Sequence, residues 1–168
     1  GSDAVISHCD FFDQIYGGGI DGWHSNLTIT DCTSTNAGGG FYVDQNSTIA
    51  NCTFTNSRGA GGWGNAVISN CTFLNSDGIG CGLGSPRVDN CYIEGCPYQY
   101  YYGISCYESN PTITNCTIIG GLECAGININ RECNVTIDNC IISHNRSREY
   151  YGGGGIQCLW DDCSVTIS

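Results

Sequence analysis

One short phrase is written over and over in this chain: "LTITDCTSTN" from Leu27, "TIANCTFTNS" from Thr48, "AVISNCTFLNS" from Ala66, "PTITNCTIIGG" from Pro111 and "NVTIDNCIIS" from Asn134. Its central cysteine falls at Cys9, Cys32, Cys52, Cys71, Cys91, Cys116 and Cys140, in steps of 23, 20, 19, 20, 25 and 24 residues. A period of about 22 residues denotes stacked supersecondary units, none of which can bury its apolar face alone. Helical repeats need a 3.6-residue period and good helix formers, whereas this phrase alternates apolar and polar residues and is rich in Ile, Val and Thr. Leucine-rich repeats need several leucines per unit, and the whole chain has five, at 27, 74, 83, 122 and 159. A parallel β-helix remains, with about seven coils of 19 to 25 residues.

Within "TITNCTI" the alternation places Ile113 inward and Thr114 outward, bends at Asn115, then resumes with Cys116 inward, Thr117 outward and Ile118 inward. Asn and Asp tolerate the left-handed backbone of a one-residue bend, which accounts for Asp31, Asn51, Asn70, Asn90, Asn115 and Asn139 at this place, with His8 as the departure. About half a coil later comes a glycine signal: "YGGGI" at Tyr16, "GGGF" at Gly38, "YGI" at Tyr102, "AGI" at Ala125 and "YGGGGI" at Tyr151. Glycine permits a tight corner, after which Ile20, Phe41, Ile104, Ile127 or Ile156 re-enters the core as a third strand. Each coil is therefore expected to hold three short strands and three corners.

These motifs resemble the right-handed parallel β-helix repeat proteins of the pectate-lyase-like superfamily, including repeats of the polymorphic outer-membrane-protein type, which carry GGxI and Phe-x-x-Asn elements. "GGGI" at Gly17 and Gly153 matches the first element, while "FTN" at Phe54 and "FLN" at Phe73 are one residue short of the second. The resemblance runs the length of the chain and implies an all-β solenoid. It implies no single activity, because proteins of this fold include polysaccharide lyases, hydrolases, adhesins and surface proteins.

Composition narrows the partners. Sixteen acidic residues against five arginines and no lysine give a net charge of −11, which leaves no cationic stripe for nucleic acid. No apolar run reaches the roughly 20 residues that span a bilayer. Fourteen cysteines and seven Asn-x-Ser/Thr sequons, at Asn26, Asn46, Asn51, Asn70, Asn115, Asn134 and Asn145, favour an extracellular protein, secreted or at a cell surface, with N-linked glycans. A Thr- and Asn-rich repeat also writes such tripeptides without any glycan.

The cysteines divide in two. The seven phrase cysteines should stack about 4.8 Å apart as an interior ladder. Parallel register points their side chains the same way, so mostly reduced thiols are expected there. The other seven, Cys81, Cys96, Cys106, Cys124, Cys133, Cys158 and Cys163, fall in the later coils, are expected in corners and loops, and are the disulfide candidates. Cys133 and Cys163 precede equivalent strands on adjacent coils and could bridge, whereas Cys106 and Cys158 match across two coils, too far to join.

No catalytic or metal motif stands out. There is no G-x-S-x-G, no C-x-x-C, and His8, His24 and His144 are scattered. Glycosidases need two carboxylates roughly 5 to 10 Å apart across a groove, and the acidic residues form no evident pair of that kind. No metal and no cofactor are expected. Aromatic residues gather near the glycine corners instead, and Tyr16, Tyr100, Tyr101, Tyr102, Tyr150 and Tyr151 are expected to form an edge that binds sugar or protein, or simply covers the core. The chain opens at "DAVISHC" and stops at "SVTIS" without a capping pattern, and Ile6 and Ile167 occupy one place in the coil. Residues 1–168 are thus read as a single domain, either a segment of a longer solenoid or one protomer of a head-to-tail stack. The expected function is a non-enzymatic extracellular structural protein, a fibre or part of a long surface protein. The alternative is a carbohydrate-binding module, or a polysaccharide lyase or hydrolase, using the aromatic edge.

Overall fold

The computed structural model describes residues 3–13, 19–97, 102–147, 152–159 and 162–168. In them lie twenty-two strands and no helix, and every third strand joins the same parallel sheet, giving a β-solenoid. Sheet A has eight strands, from Asp3–Ser7 through Asn26–Thr30, Thr48–Ala50, Val67–Ser69, Arg87–Asp89, Thr112–Thr114 and Asn134–Asp138 to Ser164–Ile167. Sheet B has seven, from Asp10–Phe12 to Ile141–Ser143, and sheet C seven, from Ile20–Gly22 to Ile156–Cys158. Seven A-B-C triplets therefore stack across six interfaces, and the Ser164–Ile167 strand continues sheet A beyond them.

Register converts the repeat into columns. In sheet A, Ile6, Ile29, Ile49, Ile68, Val88, Ile113, Ile137 and Ile167 lie one above another. The residues from Ile29 to Ile113 in this column are wholly buried, and each such side chain contributes about 1.5–3 kcal/mol of burial. In sheet B the inner column runs Phe11, Ser34, Phe54, Phe73, Ile93, Ile118 and Ile142. In sheet C it runs Ile20, Phe41, Ala60, Ile79, Ile104, Ile127 and Ile156.

Volume is shared between these columns. Where sheet B offers only Ser34, sheet C supplies Phe41 from the same coil; one coil later, Phe54 from sheet B faces Ala60. The rings interleave: Phe41 meets Phe11 at 5.2 Å and Phe54 at 4.9 Å, both edge to face, and Phe54 stacks on Phe73 at 4.6 Å. A core of fixed cross-section is thereby filled from alternate sides.

The bends are as the sequence implied. Asp31, Asn51, Asn70, Asn90, Asn115 and Asn139 all have φ between 49° and 56°, and His8 follows at 56°. Their side chains tie coil to coil, with Asn51 Nδ2 donating to Asp31 Oδ1 at 3.2 Å, Asn90 Nδ2 to Asn70 Oδ1 at 2.7 Å and Asn139 Nδ2 to Asn115 Oδ1 at 2.8 Å. A second left-handed column, which sequence reading did not separate, turns the chain from sheet B toward sheet C: Asp13, Asn36, Asn56, Asn75, Gly95, Gly120 and His144. At the third corner glycine sits on glycine. A methyl on Gly59 (φ +71°) or Gly78 (φ +79°) would run into the carbonyl of the next coil's Gly78 or Gly103, besides being held in the left-handed region.

Cys81, Cys106 and Cys158 depart from their expected place in corners and loops. They belong to the sheet C strands Ile79–Gly84, Ile104–Ser109 and Ile156–Cys158, where Cys81 pairs directly with Cys106. For Cys81 and Cys106 the reason is alternation: two residues after Ile79 and Ile104 the side chain again points inward and is buried.

Candidate functional site

All fourteen cysteines are free thiols, ten of them buried, Cys9, Cys140 and Cys163 half-buried, and Cys158 exposed. The phrase cysteines form the expected column. Cys52, Cys71, Cys91 and Cys116 each donate Sγ–H to the carbonyl two residues back, at 3.2, 3.2, 3.4 and 3.1 Å. Neighbouring thiols and burial hold Cys52 and Cys91 well above the ordinary thiol range. Hydrogen bonds from those neighbours pull the other way at Cys71 and Cys116. At all four of these thiols burial itself disfavours the thiolate. Among the disulfide candidates, Cys133 and Cys163 do lie on adjacent coils, beside the Ser164 N–H bond to the Cys133 carbonyl, and Cys133 Sγ donates to the Asn130 carbonyl at 3.1 Å. Cys124 Sγ lies 3.7 Å from the Cys96 carbonyl, and the Cys106 thiol is pushed up first by Cys81 and then by burial.

The sequon asparagines differ in what their amides do. Asn26, Asn46, Asn51, Asn70, Asn115 and Asn134 are exposed, and Asn145 is half-buried. Asn145 accepts the Gly121 N–H at 2.9 Å and donates Nδ2 to the Ile118 carbonyl at 3.0 Å, which makes it part of a corner.

Of the aromatic edge, Tyr16, Tyr100, Tyr101, Tyr150 and Tyr151 lie outside the described residues, and Tyr102 is half-buried at the glycine corner. A different aromatic group forms on the outer face of sheet C. In "AGGWG" the alternation that turns Ala60 and Gly62 inward turns Gly61 and Trp63 outward, and register sets Gly61 between Tyr42 and Gly80. Trp63 lies 5.0 Å from Trp23 and 6.1 Å from Tyr42. A Cβ on Gly61 would sit 2.8 Å from both the Trp63 and Tyr42 rings, so the missing side chain is what lets the rings lie against the sheet. Trp23 is 51 % exposed.

Beside this group lies a cavity of about 190 Å³, walled by Tyr42, Tyr102, Arg58, Asp77 and Ser105 over the Gly78–Gly80 backbone. Burial raises the Asp77 carboxyl to about 6, against the opposing charge of Arg58. Two phenol rings beside a carboxylate and a guanidinium can pack the apolar face of a small ring and hydrogen-bond its polar rim. Trp23, Arg58 and Asp77 carried no sequence signal of their own, since they meet only through the stacking of coils. Among the described residues no three His, Cys, Asp or Glu side chains converge as a metal would need.

Comparison with curated proteins and with solved structures finds no match. The family described as "Right handed beta helix region" matches residues 1–63 and 18–168, which together cover the chain. Repeat, register and family match agree, and the chain belongs to the right-handed β-helix family.

Proposed function

We propose that this solenoid is a non-catalytic structural element of an extracellular surface protein or fibre. The observation that carries the reading is the continuity of its columns: isoleucine, thiol, asparagine and corner glycine each recur in register coil after coil, and asparagine side chains tie neighbouring coils together. Such a build serves length and stiffness. Ile6 and Ile167 occupy one column, so a further turn, from the same chain or from a second copy, would prolong the same core. Seven pitches of about 4.8 Å make a rod of about 34 Å. Light scattering and negative-stain electron microscopy of the purified chain across a concentration series test the stacking form: rods in multiples of that length are expected, and monomers at every concentration would overturn it. Release of reducing sugar from polysaccharides by the purified chain would overturn the non-catalytic reading.

A second reading rests on the sheet C face, where Trp23, Trp63 and Tyr42 adjoin the Arg58–Asp77 cavity. Exposed aromatic rings next to a few polar groups suit a sugar ring, so this face is the place for carbohydrate binding. Quenching or shift of tryptophan fluorescence on titration with oligosaccharides, lost in Trp63→Ala, is the expected result; no response across a glycan panel would remove this reading.

A further inference from the structure

The seven sequons are not equivalent, and the difference lies at one atom. N-glycosylation joins the sugar to the asparagine Nδ2, replaces one of its two N–H bonds and needs open space around it. Asn26 Nδ2 donates to Asp3 Oδ1 at 3.0 Å, Asn51 Nδ2 to Asp31 Oδ1 at 3.2 Å and Asn134 Nδ2 to Asn110 Oδ1 at 3.0 Å. Asn115 is engaged on both sides, donating to Asp89 Oδ1 at 2.8 Å and accepting from Asn139 at 2.8 Å. Asn145 is half-buried, with its amide inside a corner. Among the described residues, Asn46 and Asn70 are the sequon asparagines whose Nδ2 donates no hydrogen bond within the fold.

These two stand in different surroundings. Asn70 is a rung of the bend ladder, its Oδ1 holding Asn90 Nδ2 at 2.7 Å and its neighbours one coil, about 4.8 Å, away. A pyranose there would press on the rungs above and below. Asn46 sits instead on the exposed turn between the strands Phe41–Val43 and Thr48–Ala50, accepting a 3.3 Å bond from Asn65 through Oδ1 and leaving Nδ2 to solvent.

We infer that Asn46 is the N-glycosylation site of the folded molecule, and that Asn115 and Asn145 are structural amides whose sequons stay unused. The assignment rests on the extracellular reading above. Three of the sequons, at Asn51, Asn70 and Asn115, are written by the repeat itself: the bend demands Asn, the inner wall takes Cys after it, and the outer face of sheet B favours Thr next.

The test is site-resolved mass spectrometry of the full chain secreted by an N-glycosylating eukaryotic cell line, with enzymatic deglycosylation in heavy-oxygen water to mark each occupied asparagine. Label at Asn46 and at no other sequon in the folded monomer is expected. Label at any other sequon, with Asn46 bare or occupied, overturns the assignment but leaves the glycoprotein reading standing; no label anywhere overturns both. Stability gives an independent arm. Asn46→Gln should leave the Tm of the deglycosylated protein unchanged, whereas Asn145→Gln, which misplaces two partly buried hydrogen bonds, should lower it by about 2–4 °C. Equal Tm for both variants and the parent would remove the structural half of the inference.

Discussion

Cys71 packs in the core between Cys52 and Cys91 and donates its thiol to the Ser69 carbonyl at the point where the backbone bends out of sheet A. A small apolar side chain with one weak donor fits such a place, since a methyl would leave a void and a longer chain would push the coils apart. Cys71→Ala should cost about 1–3 kcal/mol, read as a lower urea midpoint at constant m-value. In the native protein a thiol-labelling reagent should react first at exposed Cys158, then at half-buried Cys9, Cys140 and Cys163, and reach the ten buried thiols only on unfolding. Asp77 predicts a pH dependence. Its folded pKa, about 6, lies above the ordinary 3.8, so the folded state holds the proton more tightly than the unfolded chain. Stability therefore falls as pH rises from about 4 to about 6 and stays at the lower level above that window. Asp77 is partly solvated and faces Arg58, so the loss is discounted to about 1 kcal/mol. Asp77→Asn should flatten this slope and raise Tm at pH 7 by about 2–4 °C, as measured by calorimetry between pH 4 and 7.

At the scale of strands and corners, a glycine's position decides its worth. Gly78 stands in the corner column with its Cα facing the Gly103 carbonyl, whereas Gly80, two residues on, points outward with its nearest potential contact at 4.0 Å. Gly78→Ala should destabilise by about 2 kcal/mol or more, while Gly80→Ala should be neutral or stabilise by a few tenths of a kcal/mol, as thermal melts of the two variants would read. The corner column was legible in the sequence where glycines cluster before Ile20, Phe41 and Ile156. It was not legible at "SRGAGG" and "SDGIGC", where Gly59 and Gly78 do the same work without a run of glycines to mark them. The inner columns of sheets A and B followed from alternation alone, as did the Asn115-type bend. What could not be read is anything that depends on two columns at once. Phe41 compensates for Ser34, and Ala60 for Phe54, across sheets; Trp63 finds Trp23 and Tyr42 because their coils lie in sequence above one another. Residues that meet only by stacking leave no spacing in the chain to find them by.

The whole molecule is close to one-dimensional, because each coil touches chiefly the coil above and the coil below. Stability in such an array is a sum of coil terms and interface terms, so damage should spread from its origin and fade with distance rather than act on the fold as a unit. Phe54 is the place to test this, since its ring contacts Phe41 of the preceding coil and stacks on Phe73 of the next, and it is wholly buried. Phe54→Ala leaves Ala60 facing another small side chain with nothing nearby to fill the gap, and the cost should be about 3–5 kcal/mol. Amide hydrogen exchange followed strand by strand gives the measurement. Protection should drop most in Phe41–Val43, Thr53–Thr55 and Thr72–Leu74, less in Tyr92–Glu94, and least in Asn134–Asp138, four coils away. A uniform loss of protection along the chain would mean that the coils unfold as one cooperative body, and the nearest-neighbour account of this solenoid would then be wrong.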